Sequence, residues 1–117
     1  MNEFYKVLVT RVKDGDTFVG TLIIPVPTLS MKMHLEEQTF RLETADTPEL
    51  SKHEPLAVEA KEYTIEHILD KEILVVLHGK DAFGRWLTDV YIDGDLNNRF
   101  NDSLLKEGLA HIYKKGE

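Results

Sequence analysis

The sequence predicts an α+β fold, mainly β, in which a five-stranded OB-fold barrel carries two covering helices. Five short β-rich runs alternate with turn signals, and one long helical period separates the third run from the fourth. A shorter helical stretch follows the fifth run. A chain of 117 residues suffices for one compact core and is too short for two. We therefore expect a single domain over residues 1–117.

Alternating Val, Leu and aromatic residues predict the first three strands. Their bounds are Phe4–Val12, Thr17–Ile24 and Thr39–Thr44. Pro25 and Pro27 lack a backbone N–H, so we expect them to break the sheet pattern after the second strand. Residues 28–38 alternate only weakly and are interpreted as an extended hairpin arm that leads into the third strand.

A long helix and two more strands are predicted in the second half of the chain. Small or apolar residues recur with the helical period after Pro55, at positions 57, 60, 64 and 68. The run Glu72–His78 is short, continuous and β-branched, which is typical of a buried strand. The last predicted strand is Trp86–Ile92, which the turn signal Asp93-Gly94 closes.

The final predicted helix covers Asn101–Glu107. Asn101 is a residue type that caps helix N-termini, and Gly108 fits the position just beyond a helix C-terminus. Leu104 and Leu105 are expected to face the core. The residues that follow, 109–113, are expected to form a short extended tail.

The net charge limits how this chain could bind nucleic acid. The charge is −7, from 21 acidic and 14 basic residues. Non-specific affinity for nucleic acid comes from basic side chains that neutralise phosphates, so the composition disfavours a protein that relies on such contacts. Any activity on nucleic acid is expected to be local and to need a cation.

The cysteine count and the hydropathy pattern limit the kind of metal site and the cellular location that we expect. The chain has no cysteine, so a bound metal would need oxygen or imidazole ligands, which favours hard cations. The N-terminal residues lack a secretory signal, and no apolar run approaches the roughly 18 residues of a membrane span. We expect a cytoplasmic protein without membrane contact, or a secreted one if the chain is a trimmed mature form.

Charged residues concentrate in three turns. The turns are Asp14-Gly15-Asp16-Thr17, Asp46-Thr47-Pro48-Glu49 and Phe83-Gly84-Arg85. Taken singly, each sequence is typical of an ordinary turn or loop. Taken together with Arg41, they hold the side chains that phosphodiester hydrolysis needs.

Two kinds of side chain in or near these turns are suited to phosphodiester hydrolysis. A hard divalent cation takes carboxylate and carbonyl oxygens, which Asp16, Asp46 and the Thr47 backbone could provide. The charge that develops on phosphorus favours planar bidentate donors, and Arg41 and Arg85 are such donors.

A base for the attacking water is also present. Glu49 lies close in sequence to the predicted ligand Asp46 and need not be a ligand itself. It is therefore the candidate for activating water.

With these motifs, the chain resembles the staphylococcal, or micrococcal, nuclease family. The resemblance rests on the three turns, on Phe40-Arg41-Leu42 and on the stretch Asn101–Ala110. The pieces occur in the order typical of the family and span nearly the whole chain. The single domain would then be a nuclease domain of this family.

The resemblance implies a calcium-dependent endo- or exonuclease that cleaves DNA and RNA to 3′-phosphate and 5′-hydroxyl products. Its substrate would preferably be single-stranded, and the protein would be a monomer. Asp16 and Asp46 would ligate Ca²⁺ together with the Thr47 carbonyl. Arg41 and Arg85 would bind the scissile phosphate.

The resemblance also assigns the remaining residues. Glu49 would be the general base or would position the water, and Asp14 would support the ligands from behind. Phe83 and Tyr113 would contact the substrate nucleotide. The chain departs from the family pattern at Ala82, where a lysine is usual, and in a longer arm over residues 20–38. The usual C-terminal helix is missing.

Two other functions are compatible with such a chain. One is a catalytically inert module of the same fold that binds nucleic acid or protein; such copies typically lack some of the carboxylates or arginines, whereas all are present here. The other is a structural calcium-binding domain, which would leave Arg41 and Arg85 unexplained.

Overall fold

The computed structural model describes residues 3–112, and strands form most of its regular structure. The strands are β1 (Tyr5–Asp14), β2 (Thr17–Val26), β3 (Met31–Leu42), β4 (Ala45–Asp46), β5 (Glu72–Lys80), β6 (Trp86–Tyr91) and β7 (His111–Ile112). The helices are α1 (Ala57–Ile68) and α2 (Phe100–Lys106), and short 3₁₀ turns cover Pro27–Leu29 and Leu50–Lys52. No helix within residues 3–112 is long and apolar enough to cross a membrane.

Five strands close into a barrel in the order β1-β2-β3-β6-β5. Neighbouring strands are antiparallel except β3 and β6, which run parallel over Phe40–Leu42 and complete the closure. The helix α1 lies between the third and fourth barrel strands along the chain, and α2 follows the last. The predicted α+β, mainly β fold, an OB-like barrel with two helices, is confirmed.

Alternate residues of the barrel strands point inward and form the core. Val7, Val9, Phe18 and Phe40 have no exposed surface, and the rings of the two phenylalanines stack with their centroids 5.1 Å apart. Burying a side chain of this size contributes about 1.5–3 kcal/mol. A strand slip by one residue would turn these side chains outward, so the core fixes the register. It also places Arg41, next to Phe40, on the outer face of β3.

The helix α1 packs its small residues against the turn between β1 and β2. Its buried residues are Ala57, Ala60, Thr64 and Ile68, as the helical period predicts. A Cβ atom on Gly15 would lie 2.9 Å from both Ala60 Cβ and Thr47 Cγ2, so this close approach requires glycine. Thr64 Oγ1 also donates to the Gly15 carbonyl at 2.6 Å. The first charged turn is therefore held directly against α1.

The second and third strands are longer than predicted, and the expectation that Pro25 breaks the sheet is wrong. Pro25 lies inside β2 and pairs with Lys32 of β3. The last pair of β2 with β1 is Ile23 with Lys6, so Pro25 lies beyond it. Its missing N–H is on the side where β2 no longer pairs with β1, so no ladder bond is lost. The arm is thus an extension of two barrel strands.

Asn101 is not the N-cap of α2, contrary to the prediction. The N-cap is Arg99, and it makes no side-chain capping bond. Asn101 is fully buried inside the first turn. Its side chain accepts from Val90 N at 3.0 Å and donates to the carbonyls of Glu43 at 2.7 Å and Thr88 at 3.0 Å. Asn101 therefore attaches α2 to β6 and to the turn after β3.

The end of α2 and the tail after it hold the strand β4. Gly108 has φ 72°, and Leu109 N donates to the Leu104 carbonyl at 3.0 Å, which confirms the predicted glycine-terminated helix end. The chain then enters β7, where His111 pairs with Asp46 of β4. This two-stranded pairing was not predicted, because strands of two residues carry no periodic signal.

Asn101→Ala should lower the free energy of unfolding by about 2–4 kcal/mol, because Val90 N–H and two carbonyl oxygens would lose their buried partner. Asn98→Ala is the matched control, since the Asn98 side chain is exposed and donates to Asp95 at the surface, at 2.7 Å. We expect a loss below about 0.5 kcal/mol. Urea unfolding followed by Trp86 fluorescence measures both. Equal losses would contradict an anchoring role for Asn101.

Candidate functional site

Asp16 connects the turn between β1 and β2 with the loop after β4. The residue is 5% exposed. Its Oδ1 accepts from Thr17 Oγ1 at 2.9 Å, and its Oδ2 accepts from Thr47 N at 3.0 Å. Its own carbonyl accepts from Leu42 N, at the end of β3, at 2.9 Å. Asp16 thereby fixes Thr47 relative to the barrel.

Arg41 lies between two carboxylates beneath this loop. It is 7% exposed, and its Nη1 is 3.3 Å from Asp16 Oδ2 while its Nη2 is 3.1 Å from Asp46 Oδ1. Nη1 also donates to the carbonyls of Leu42 at 2.9 Å and Ala45 at 3.0 Å. A buried guanidinium is tolerated when it is paired and hydrogen-bonded in this way. One cation against two carboxylates leaves a formal negative charge that a bound cation would offset.

Asp14 and Glu49 both lie next to the 3₁₀ turn Leu50–Lys52. Asp14 Oδ1 accepts from Leu50 N at 3.2 Å, which attaches the 3₁₀ turn after the loop to the turn between β1 and β2. The Glu49 side chain is 43% exposed, and its Oε2 is 3.5 Å from Lys52 Nζ. Glu49 therefore lies at the solvent edge, directly after the loop that carries the predicted ligands.

Arg85 lies on the neighbouring turn between β5 and β6. Leu87, two residues further on, is the parallel partner of Arg41, so the two arginines lie about two residues apart along adjacent strands. The Arg85 guanidinium carbon is 5.3 Å from the centroid of the Phe83 ring, which is 84% exposed. Its ion pair is with Asp81 of its own turn, at 2.7 Å.

The Asp81 carboxylate organises this turn. Its Oδ1 accepts from Phe83 N at 2.9 Å and Arg85 N at 3.0 Å, and its Oδ2 accepts from Arg85 Nε. Burial by itself would raise the pKa of Asp81, but the hydrogen bonds from Arg85 and Phe83 outweigh burial and lower the pKa below its usual value. Sequence analysis missed Asp81, although an aspartate just before a Gly-containing turn is a known turn signal.

A second ionic group lies behind the turn that follows β3, and sequence analysis missed it as well. Asp89 is 9% exposed, and its carboxylate is 2.9 Å from His78 Nε2 and 3.0 Å from Arg99 Nη1. His78 Nδ1 is 3.8 Å from Glu43 Oε2. With Asn101, this group supports the chain just before β4. Its members are far apart in sequence, so no motif marks it.

The structure divides the predicted site residues into two groups. Hydrogen bonds and ion pairs connect the turn between β1 and β2 to the loop after β4 through Asp14, Asp16, Arg41, Asp46 and Thr47. Glu49 lies at the edge of this group, and Arg85 and Phe83 lie on the adjacent turn. The predicted substrate contact Tyr113 lies outside the described residues.

The donor atoms in the first group fit a hard divalent cation. Asp16 and the half-exposed Asp46 offer carboxylate oxygens, which such cations prefer. Thr47 Oγ1 is buried and has no hydrogen-bond partner among the described residues, so this hydroxyl could still bind a polar ligand. Within residues 3–112 no three His, Asp or Glu side chains form a ready metal cluster. A cation here would therefore also need a backbone carbonyl, the kind of ligand predicted at Thr47.

A pocket opens beside Asp46 and Thr47. It has a volume of about 300 Å³, and its other walls come from residues 54–56 and from the tail at 108–111. The loop that carries the candidate ligands is therefore open to solvent on the side of the tail.

The family model described as "Staphylococcal nuclease homologue" matches residues 39–117. The match includes Arg41, the loop with Asp46 and Glu49, and Arg85. It begins after the turn that holds Asp16. The contacts of Asp16 with Arg41 and Thr47 bring that turn to the matched part of the chain.

Curated relatives cover most of this chain. A protein named "Probable endonuclease lcl3" from Aspergillus clavatus is 28% identical over an alignment 130 positions long, gaps included, which covers 91% of this chain and 45% of that protein. The protein of the same name from Aspergillus flavus is 29% identical, with 91% and 47% covered. An uncharacterized 38.1 kDa protein from Capnoides sempervirens is 36% identical over 74 residues, 63% of this chain and 20% of that protein. The chain spans just under half the length of the Aspergillus proteins.

Asp81→Asn should lower the free energy of unfolding by about 1–2 kcal/mol at pH 7, because a neutral amide replaces the carboxylate that binds Arg85. The pKa of Asp81 is lowered in the folded state, so this contribution is present above the unfolded value of about 3.9 and is lost as the pH falls through the folded value. Urea unfolding of both proteins across this range measures the difference. A difference that persists to about pH 2 would contradict the assignment.

Proposed function

Because the chain belongs to the staphylococcal nuclease homologue family, we propose that it is a calcium-dependent nuclease that hydrolyses phosphodiester bonds in both DNA and RNA. The observation that carries the proposal is a set of contacts between distant parts of the chain. They join Asp16, in the turn between β1 and β2, to Arg41 of β3 and to Thr47 after β4, and they join Arg41 to Asp46. The names of the Aspergillus relatives support endonuclease chemistry. The oxygen donors support calcium as the metal.

Asp16, Asp46 and the Thr47 carbonyl would hold the Ca²⁺ ion. When bound, calcium supplies positive charge to a phosphate oxygen and favours ionisation of a nearby water. Asp14 keeps the following turn in place through its bond to Leu50 N. Asp16 and Thr47 would therefore be positioned before metal binds, whereas the half-exposed Asp46 side chain would not.

Two arginines bind the scissile phosphate in this proposal. Asp81 holds Arg85 through Nε, which leaves the two terminal nitrogens of the guanidinium to bind two phosphate oxygens. Arg41 Nη2 bonds Asp46 Oδ1, and the Asp46 side chain is 47% exposed, so this contact is open to solvent. A phosphate oxygen would replace the Asp46 carboxylate as the partner of Arg41 Nη2.

Glu49 takes a proton from the attacking water. Its only ion pair among the described residues is the exposed contact with Lys52, which is weak enough to leave the carboxylate available. The water oxygen bonds to phosphorus while the bond from phosphorus to the 5′-oxygen breaks, and the 5′-oxygen gains a proton. The products are a 3′-phosphate and a 5′-hydroxyl.

Single-stranded substrate is preferred in this proposal. The Phe83 ring is 84% exposed beside Arg85, and an unpaired base could stack on it next to the bound phosphate. Bases inside a duplex are already stacked on each other, so they would gain nothing from this ring.

Arg85→Ala and Glu49→Gln should each lower kcat about 10²-fold or more, because each removes a contact made in the transition state. Arg11→Ala and Glu62→Gln are the controls, since both side chains are exposed on other elements, and they should leave kcat unchanged. The assay is hydrolysis of a short single-stranded oligonucleotide with calcium or with chelator, followed by end-group analysis. Hydrolysis that survives chelation, or 5′-phosphate products, would overturn the proposal.

Calcium should also raise the melting temperature of the wild-type protein. At ten times Kd the expected gain is about 1.4 kcal/mol, which corresponds to several degrees. Asp16→Asn should abolish the shift because it removes one ligand charge, whereas Asp93→Asn, at an exposed turn, should retain it. Differential scanning calorimetry with calcium and with magnesium measures this. An unchanged shift in Asp16→Asn would show that calcium binds elsewhere.

A further inference from the structure

The strand β3 has an open edge along its first half. It pairs with β2 from Met31 to Arg41, but it pairs with β6 only over Phe40–Leu42. Within residues 3–112 no strand covers the other side of residues 31–39. An open strand edge presents unpaired N–H and C=O groups to which another strand can add.

The position of Pro25 shows which backbone groups face this edge. Pairs in an antiparallel ladder alternate between hydrogen-bonded and non-hydrogen-bonded types. Pro25 has no N–H, so its pair with Lys32 is of the non-hydrogen-bonded type. The pair of Ile23 with His34, two residues along, has the same type. Lys32 and His34 therefore direct their N–H and C=O groups away from β2, towards the open edge.

The regular edge ends at Glu36. The Glu36 carbonyl accepts from Gln38 Nε2 at 3.2 Å, and Gln38 Oε1 accepts from Trp86 Nε1 of β6 at 3.1 Å. The Glu36 carbonyl therefore lies on the same side as the outward groups of Lys32 and His34. Glu37 has φ 55° at the point where the register with β2 shifts, which marks a bulge.

Side chains on this edge alternate between charged and apolar faces. Lys32, His34 and Glu36 lie on one face, and Met31, Met33 and Leu35 lie on the other. Met31 and Met33 are 54% and 47% exposed. The segment thus combines unpaired backbone groups, exposed apolar side chains and both signs of charge.

We propose that this edge pairs with the same edge of a second copy of the chain, antiparallel, about a two-fold axis through His34. Each His34 then exchanges backbone hydrogen bonds with His34 of the second copy. Lys32 lies opposite Glu36 of the second copy, so opposite charges meet on one face. Met33 lies opposite Leu35 of the second copy in a non-hydrogen-bonded pair, where side chains approach most closely.

Charge favours this register over the two neighbouring registers in which Lys32 and His34 would also direct their backbone groups towards the second copy. An axis through Met33 would place Lys32 opposite His34 of the second copy and Glu36 opposite Ser30, so no opposite-charge pair would form. An axis through Leu35 would place Met33 opposite the bulged Glu37. Of these three axes, the one through His34 is the one that pairs both Lys32 with Glu36 and Met33 with Leu35. The proposal replaces the expected monomer and does not depend on the nuclease function.

Sedimentation equilibrium over a range of concentrations tests the proposal on the full chain. We expect a reversible dimer of twice the 13.4 kDa monomer mass. Lys32→Glu should raise the dimer dissociation constant about tenfold, because a like-charge pair forms twice by symmetry, and Glu36→Lys should do the same. The double exchange, Lys32→Glu with Glu36→Lys, should restore the wild-type value. A monomer at every concentration would overturn the proposal.

His34→Pro adds a backbone control. It removes an N–H that points to the open edge and is not used in the pairing with β2, so it should abolish the dimer with the monomer still folded, as circular dichroism would show. Glu62→Lys, an exposed charge reversal on α1, should leave the dissociation constant unchanged. A dimer that persists in His34→Pro, or a double exchange that does not restore binding, would overturn this interface.

Discussion

The hydrogen bond from Thr47 N–H to the Asp16 carboxylate is the contact on which the candidate site depends. It joins two turns that are 31 residues apart in sequence. The approach is possible because Gly15 leaves room for Ala60 and Thr47, and because Arg41 offsets the buried charge of Asp16. A backbone N–H bonded to a buried carboxylate has little freedom to move, so the loop after β4 is positioned by the barrel and not by its own sequence.

Two arginines paired with carboxylates explain how an acidic chain could act on nucleic acid, which is a polyanion. The overall charge of −7 would repel nucleic acid from most of the surface. Where β3 and β6 run side by side, Arg41 lies in β3 and Arg85 on the turn just before β6, and carboxylates hold both guanidinium groups. Such pairing limits the conformational entropy lost when an arginine binds phosphate. Affinity would then depend on a few positioned contacts and not on an extended basic surface.

Polar side chains outside the candidate site hold the backbone on which the site residues lie. Asn101, Asp89 and Arg99 connect α2 to β6 and to the turn that precedes β4. The pairing of β7 with β4 then adds the tail to the same loop. The backbone around Asp46 is therefore held at three points: Arg41 bonds the Ala45 carbonyl, the tail pairs with β4, and the Asn101 amide bonds the Glu43 carbonyl. The arm of β2 and β3, by contrast, extends beyond the closed barrel and leaves a strand edge open.

The sequence by itself determined the barrel strands, the helix α1 and the three charged turns, because alternation, helical period and turn residues are local signals. It also identified the family through short motifs around Arg41, Asp46 and Arg85. The tertiary structure alone decided that Asn101 is a buried anchor and that Asp81 orients Arg85. It alone also decided that Pro25 sits inside a strand. The partners of a buried side chain, and whether a proline costs a strand a hydrogen bond, depend on which strands lie next to each other. Pairing between distant segments leaves no local pattern in the sequence.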